Sequence, residues 1–395
     1  MTRPFEGIKI IDITHVLAGP FAAYQLAVLG ADVIKVEHPL ECDQSRHNGP
    51  DRELNRRNMG TGFMTQGSNK RSITLDLKQP RGRDILKRLV KDADVMVENY
   101  RPGAFTALGI GYEDMKKINP RLIYCSMTAF GQDGPRGSQT AYDHAIQALS
   151  GVMAATGTPE TNPIKVGTPV IDYATGTMGA FAIASALFQR ERTGKGQYID
   201  SAMLDVALMM QASHVTGYMY TGKKSKPSGN RHNLASSSCY ETKDGLLMLA
   251  ASNRGQHKRL FDTLGYPEMG NKDYDYREDN YDAEAALLRK VLAEKTAAEW
   301  EDHLQAHHVP AGRVRPMDQA LKDPQLESRK ILHRHESVPG TDKPVTVPMC
   351  AFKFAHGGPS IERPPARLGE HNEEILQSLG YTKADIEALR ADGVI

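Results

Sequence analysis

The first 125 residues constrain this chain most, because they repeat one plan: a β-branched run, a turn, a helix, another β-branched run. Ile8-Lys9-Ile10-Ile11-Asp12-Ile13 reads as a buried strand. Leu17-Ala18-Gly19-Pro20 is a turn, with Pro20 near the first position of a helix over Phe21 to Leu29, and Gly30 stands where a helix-ending glycine belongs. Asp32 to Glu37 is the next strand. A strand–helix–strand unit of about 30 residues is the size of a crossover between parallel strands. Ser72 to Leu77 alternates like an edge strand, and Pro80 to Lys91 carries Ile85, Leu86, Leu89 and Val90 on one helical face. Val95-Met96-Val97 and Leu122-Ile123-Tyr124-Cys125 complete the series. The alternation predicts an α/β fold with a doubly wound, Rossmann-like parallel sheet.

A long helix is expected from Tyr173 to Arg192, small-faced through Gly176, Gly179, Ala180 and Ala182, followed by a strand over Gln197–Asp200 and a helix over Met203–Met210. The polar run Lys223 to Gly229 reads as a linker. The spacing therefore predicts a large domain over 1–224, a smaller α+β domain over 225–329, and a C-terminal segment, 330–395. In the small domain Glu241–Asn253 is hairpin-like and Asn271–Asp282 is expected as a charged surface loop. The C-terminal segment ends in helices over Glu373–Leu379 and Lys383–Arg390, with Thr382 and Asp385 spaced as a capping box.

Composition excludes several classes. Lys+Arg 49 against Asp+Glu 48 leaves a net charge of +1, no basis for a nucleic-acid or membrane partner. The four cysteines are far apart with no C-x-x-C, which argues against a disulfide scaffold or zinc ribbon and fits a reducing, cytoplasmic location. No secretory leader pattern opens the chain. The most apolar helix, near 174–188, is interrupted by Thr175, Gly176, Thr177, Gly179 and Ser185, short of the roughly 18 apolar residues of a membrane span. No His or Cys grouping has metal-ligand spacing, and no G-x-S-x-G elbow or Walker loop is present.

Two positions draw attention. The Leu17-Ala18-Gly19-Pro20 turn, beside His15, sits where a mononucleotide fold binds phosphate, although G-x-G-x-x-G is missing, Pro20 removes an N–H donor, and these residues by themselves favour an ordinary turn. Asp172 opens the small-faced helix after Val166 to Ile171. Position alone leaves it two readings: a helix N-cap, or a carboxylate nucleophile kept ionised by the helix N-terminus. Lys70, Arg71, Lys78 and Arg101 are scattered cations available to phosphates or to solvent.

Taken together, the segments Phe5 to Asp12, Leu17 to Phe21, Gly30 to Glu37, Asn69 to Ser72, Glu98 to Gly103, Gly109 to Glu113, Gly131 to Pro135, Thr193 to Gln197 and Leu368 to Asn372 resemble, in order and spacing, the family III CoA-transferases. That group holds formyl-CoA transferase, carnitine CoA-transferase and α-methylacyl-CoA racemase. The resemblance implies a large domain built from both ends of the chain, a small domain between, and a homodimer of interlocked subunits. It implies coenzyme A as substrate, with no tightly bound cofactor and no metal. By position it assigns CoA contacts to His15, Leu17, Ala18, His38, Leu75 to Lys78, Asn99, Tyr100, Arg101 and the stretch before Tyr142. It matches Asp172 to the catalytic aspartate, which takes the acyl group and then CoA from a short acyl-CoA and passes CoA to a carboxylic acid. The alternative on the same fold is a 2-methylacyl-CoA racemase. That branch needs a histidine where Tyr142 stands, with His144 two residues on. Compared with formyl-CoA transferase, Leu17 replaces a glutamine and His38 a phosphate-binding arginine, for which Arg101 or Lys70 is expected to compensate. The loop Gly229 to Ser238 lacks consecutive glycines, leaving Ser236–Ser238 either to bind the acceptor or to form a plain polar loop.

Overall fold

The structure, a computed structural model, describes residues 2–395. The chain forms two compact units: the first takes residues up to Val152, Lys165–Lys223 and Glu327–Ile395; the second takes Met153–Ile164 and Lys224–Leu326. The excursion at Met153–Ile164 has no counterpart in the sequence reading.

In the first unit the chain runs β1 (Lys9–Ile13), α1 (Ala18–Val28), β2 (Asp32–Glu37), β3 (Lys70–Thr74), α2 (Pro80–Lys91), β4 (Val95–Glu98), β5 (Ile123–Thr128), α3 (Asp143–Ser150), α4 (Val170–Thr193), β6 (Gln197–Ala202), α5 (Met203–Met210) and α6 (Ala212–Thr221). The sheet is six-stranded in the order β3-β2-β1-β4-β5-β6, and every pairing is parallel. Chain order reverses between β1 and β4, which makes the crevice beyond their carboxyl ends the topological switch point of a doubly wound fold. β3 lies at the edge as expected, but runs over Lys70–Thr74 instead of Ser72–Leu77, because it pairs in register with Val33–Glu37 of β2 and stops where that strand stops.

The strands are buried on both faces. Ile11, Ile13, Val36 and Ile73 pack with Ile85, Leu86 and Leu89 of α2 on one side. Ile10, Val33, Val95 and Val97 pack with α1 and with Ile183 and Leu187 of α4 on the other. Small residues set the approach of α1 to α4: a Cβ on Gly176 would stand 2.6 Å from the Ala18 carbonyl oxygen, and one on Gly19 2.5 Å from Thr14 Cγ2. Gly176→Ala adds helix propensity, about 1 kcal/mol, but drives a methyl into backbone, an overpacking cost of about 1–3 kcal/mol. The net expectation is a loss of roughly 1 kcal/mol, read as a lowered melting temperature. By length and mean hydropathy (1.3) α4 is, among the described residues, the one helix apolar enough to cross a membrane, against the sequence expectation. It is instead packed on the sheet, with Ile171, Thr175, Gly176, Gly179, Ile183 and Leu187 all buried.

In the second unit β7 (Cys239–Glu241) and β8 (Leu246–Leu249) form the hairpin, followed by α7 (Arg254–Leu264), α8 (Tyr274–Asp279), α9 (Tyr281–Leu292), α10 (Ala297–Ala306) and β9 (Ala311–Arg313). Leu247, Leu249, Phe261, Leu288, Trp300 and Leu304 form its core. The expected surface loop over Asn271–Asp282 is instead largely helical. Asp273 caps α8 by accepting from Tyr276 N, and the Arg277 guanidinium is buried, donating to the Ala251 and Ser252 carbonyls at 3.0 and 2.8 Å. A charge run thus reads as solvated when its arginine is an internal brace.

Returning to the first unit, β10 (Leu332–His335) pairs antiparallel with β11 (Val345–Pro348), and α11 (Asn372–Ser378) and α12 (Lys383–Ala391) close the chain. The Thr382–Asp385 capping box is present. Ile375, Leu376, Ile386 and Leu389 enter the same core as β1 and α2, so the C-terminal helices complete one face of the sheet.

Candidate active site

The crevice at the switch point is a cavity of about 910 Å³ in the first unit. His15, Leu17, Ala18, His38, Leu75, Lys78, Asn99, Tyr100, Arg101, Tyr142 and Asp172 all line it. The residues singled out from the sequence are therefore brought together by the sheet: loops after β1, β2, β3 and β4 open on one edge. A smaller cavity of about 500 Å³ is lined by Val16, Gln44, Tyr142, Asp143, His144, Gln147, Asp172 and the loop 165–169. Val16, Gln44, Tyr142 and Asp172 face both.

The β1 loop is held from below. Asn99 accepts from His15 N at 2.9 Å and donates to the His15 carbonyl at 2.8 Å, so its amide positions the loop. Val16 has φ 72, a strained value for a β-branched residue. Asp43 accepts from its N–H at 2.9 Å, and Gln66 donates to its carbonyl at 2.7 Å. Asp43 is in turn paired with buried Lys35, whose ammonium also donates to the Thr14 carbonyl at 2.6 Å. Burial opposes the Lys35 charge, but the carboxylates of Asp43, Asp12 and Glu37 outweigh it and hold its pKa above the ordinary value. His15 packs edge-on to Tyr100 at 4.9 Å, and burial lowers its pKa, favouring a neutral imidazole.

His38 accepts from Leu40 N and Glu41 N through Nδ1, which leaves its proton on Nε2, 3.5 Å from Asp76. Lys70 does not fit its expected role. It is 3% exposed, donates to Asp12 Oδ2 and the Pro20 carbonyl at 2.8 Å each, and is absent from the cavity wall. A lysine on an edge strand looks available in sequence, but its outward register here meets Asp12 two strands away. Arg71 is likewise spent on Asp32 and Glu374. Arg101 and Lys78 are the cations left in the cavity wall among the described residues.

Asp172 resolves differently from either simple reading. It is not the N-cap: α4 begins at Val170 after Pro169, placing Asp172 third in the helix. The cap comes from Asp143, at the start of α3. Its Oδ2 accepts from Ile171 N at 2.7 Å and from Asp172 N at 3.0 Å. Its Oδ1 accepts from Gln147 Nε2 at 2.5 Å, and Gln147 Oε1 accepts from Val166 N at 2.9 Å. The Asp172 carboxylate is left without a hydrogen-bond partner among the described residues, at the meeting of the two cavities.

That arrangement corrects the expectation of a helix terminus keeping Asp172 ionised. Burial raises its pKa, Asp143 beside it adds like charge, and the result is about 7. The amides that would stabilise its anion are already taken by Asp143. No sequence signal marked Asp143 as a cap, since 28 residues separate it from Ile171.

Ser236, Ser237 and Ser238, in the second unit, are buried and spent within it. Ser236 donates to the Ala251 carbonyl and accepts from Arg277, Ser237 meets Ser252, and Ser238 donates to the Leu234 carbonyl and meets Tyr281. Of the two readings of that loop, its hydroxyls serve its own fold.

Residues 5–372 match the model of CoA-transferase family III. The chain is 34% identical to succinate–glutarate CoA-transferase of Agrobacterium fabrum, covering 95% of this chain and 96% of that one. It is 39% identical to acetyl-CoA:oxalate CoA-transferase of Acetobacter aceti, covering 92% and 95%. A CAIB/BAIF family protein from Brucella suis superposes with a TM-score of 0.82 at 34% identity, over 96% of this chain and all of that one. Both of these relatives, matched over nearly the whole chain, are CoA-transferases. The chain belongs to the family III CoA-transferases and moves CoA between a thioester and an acid.

Proposed function

We propose that the protein transfers CoA from a short acyl-CoA to a small dicarboxylic acid, with Asp172 as covalent nucleophile. The observation that carries this is the free Asp172 carboxylate between two cavities, with its helix capped by another residue. The dicarboxylic class is supported by relatives named for succinate, glutarate and oxalate.

The larger cavity takes CoA along the loops that follow β1, β2, β3 and β4. Arg101 and Lys78 supply charge to the phosphates, and apolar Leu17, Ala18 and Leu75 line the path. At 910 and 500 Å³ both cavities fall in the size range of small-molecule sites, roughly 300–1,000 Å³. Asp172 attacks the thioester carbonyl; the C–S bond breaks and CoA leaves as thiolate, forming an acyl-aspartyl anhydride. The thiolate attacks the aspartyl carbonyl, and the donor acid departs as carboxylate, leaving aspartyl-CoA. The acceptor carboxylate attacks this thioester and repeats the exchange in reverse, restoring Asp172. No net proton moves. A carboxylate is a weak nucleophile, so positioning in a desolvated site must supply most of the rate.

The raised pKa has a measurable consequence. The anion attacks, so kcat/KM should fall tenfold per pH unit below about 7 and level above it. A flat profile from pH 5 to 8 would remove Asp172 from the rate. Glu98 is also buried and raised to about 7, but lies outside both cavity walls, so Glu98→Gln should keep the same acid limb.

The working unit is proposed to be a homodimer in the cytoplasm. Phe181 and Phe188 of α4, Met209 of α5, and Met219 and Tyr220 of α6 are mostly exposed, large apolar side chains that a subunit contact would cover. Sedimentation equilibrium should give twice 43.5 kDa. The free state of Cys42, Cys125, Cys239 and Cys350 supports a reducing compartment.

A further inference from the structure

The smaller of the two cavities that meet at Asp172 holds a cation that the chemistry described so far does not use. Its wall carries the carboxylates of Asp172 and Asp143, together with Lys165 and His144. Both oxygens of Asp143 are committed, to the α4 amides and to Gln147. Lys165 is exposed and has no acid partner among the described residues. The backbone beside it is nevertheless held, because the adjoining Val166 N–H donates to Gln147, which is oriented by Asp143. The capping carboxylate thus sets both the nucleophile and, through Gln147, the segment bearing this lysine.

A dicarboxylic acid brings two charges into this space. One end reacts at Asp172 and becomes neutral on acylation. The other stays anionic throughout and would lie among carboxylates unless a cation meets it. His144 is stacked on Tyr142, with ring centroids 6.5 Å apart, next to the reacting end. We propose that the smaller cavity is the acid subsite and that Lys165 binds the distal carboxylate of a dicarboxylic acid or of its CoA ester. This rests on the reading of Asp172 as nucleophile. Lys165 is a specificity residue here: it holds the part of the substrate that does not react.

The test uses the full-length enzyme, acetyl-CoA as donor, and glutarate or pentanoate as acceptor. These acids share a five-carbon chain and differ by the distal carboxylate. In Lys165→Met, kcat/KM for glutarate should drop at least tenfold, mainly through KM, while pentanoate stays within twofold. Lys165→Arg should recover most of the glutarate activity, and Lys165→Glu should lose more than Lys165→Met. CoA affinity, measured by calorimetry, should be the same in all variants, which separates lost recognition from lost folding. Equal losses for both acids, or no loss for either, would overturn the assignment while leaving the transfer chemistry standing. A wild-type enzyme that forms no Asp172 adduct from acetyl-CoA would overturn the underlying reading and this one with it.

Discussion

Asp172→Asn is expected to leave CoA bound and to remove transfer. The change keeps the shape of the side chain and deletes the attacking oxygen anion, so kcat should fall by at least about 10³-fold, the scale on which loss of a covalent nucleophile is felt. The Kd for CoA should stay within about twofold, because the contacts proposed for CoA come from other loops of the larger cavity. Two further measurements separate this from a general loss of structure. Incubating the wild type with acyl-CoA and hydroxylamine should yield a hydroxamate mapped by mass spectrometry to the peptide holding Asp172, and the variant should yield none. The variant should also be more stable than the wild type at pH 8 and equal to it near pH 3. The pKa of Asp172 is raised on folding, so the native state holds its proton more tightly than the unfolded chain, and stability falls as pH climbs from about 4 towards 7. Above 7 the wild type carries the cost of a buried anion, on the order of 2 kcal/mol after allowance for solvent, and asparagine does not. Retained activity in Asp172→Asn, with no adduct in the wild type, would end the covalent mechanism.

The second large effect is expected at Asp143, which touches no reacting atom. It is a positioning residue: one oxygen caps α4 at Ile171 and Asp172, and the other orients Gln147. Asp143→Ala leaves two helix amides and the Gln147 amide without their acceptor. Charge-assisted bonds of this kind contribute about 1.5–3 kcal/mol, and an empty N-cap alone costs about 1 kcal/mol, so a loss of roughly 2–3 kcal/mol in stability is expected. Asp172, the proposed nucleophile, lies in the same turn, so its misplacement should also reduce kcat by about 10²-fold. A lost cap alone predicts no particular change in titration. Asp143 acts on charge as well, so Asp143→Asn, which retains an accepting oxygen, should shift the acid limb of kcat/KM below about 7. An unmoved limb in Asp143→Asn would mean that burial alone sets the ionisation of Asp172.

Much of the site was visible in the sequence for a specific reason. A doubly wound sheet places the loops after its strands along one edge, so residues far apart in the chain become neighbours once the alternation is recognised. His15, His38 and Leu75 follow β1, β2 and β3, Asn99 and Arg101 follow β4, and all line one cavity on that ground. The resemblance then singled out Asp172 among many acids, which periodicity cannot do. Failures cluster where the partner is distant in sequence. Lys70 read as a surface cation because Asp12 is 58 residues away. Asn271–Asp282 read as a solvated loop because the carbonyls that bury Arg277 belong to Ala251 and Ser252. The hydroxyls of Ser236–Ser238 kept two readings because Arg277, Ser252 and Tyr281, which occupy them, lie on other segments.

The sequence alone determined the alternation of strands and helices that builds the parallel sheet, because local patterns of apolar and β-branched residues are enough to select it, and it supplied the family resemblance. The tertiary structure decided the state of Asp172. Asp172 read as a cap or as an anion held by a helix end, and both readings assumed that the first turn of α4 is served from within. Asp143 reaches that turn from α3, takes its amides, and places a second negative charge beside the first. Hydrogen-bond supply at a helix terminus is settled by whatever folds against it, and neither the helix nor its flanking residues carry that information.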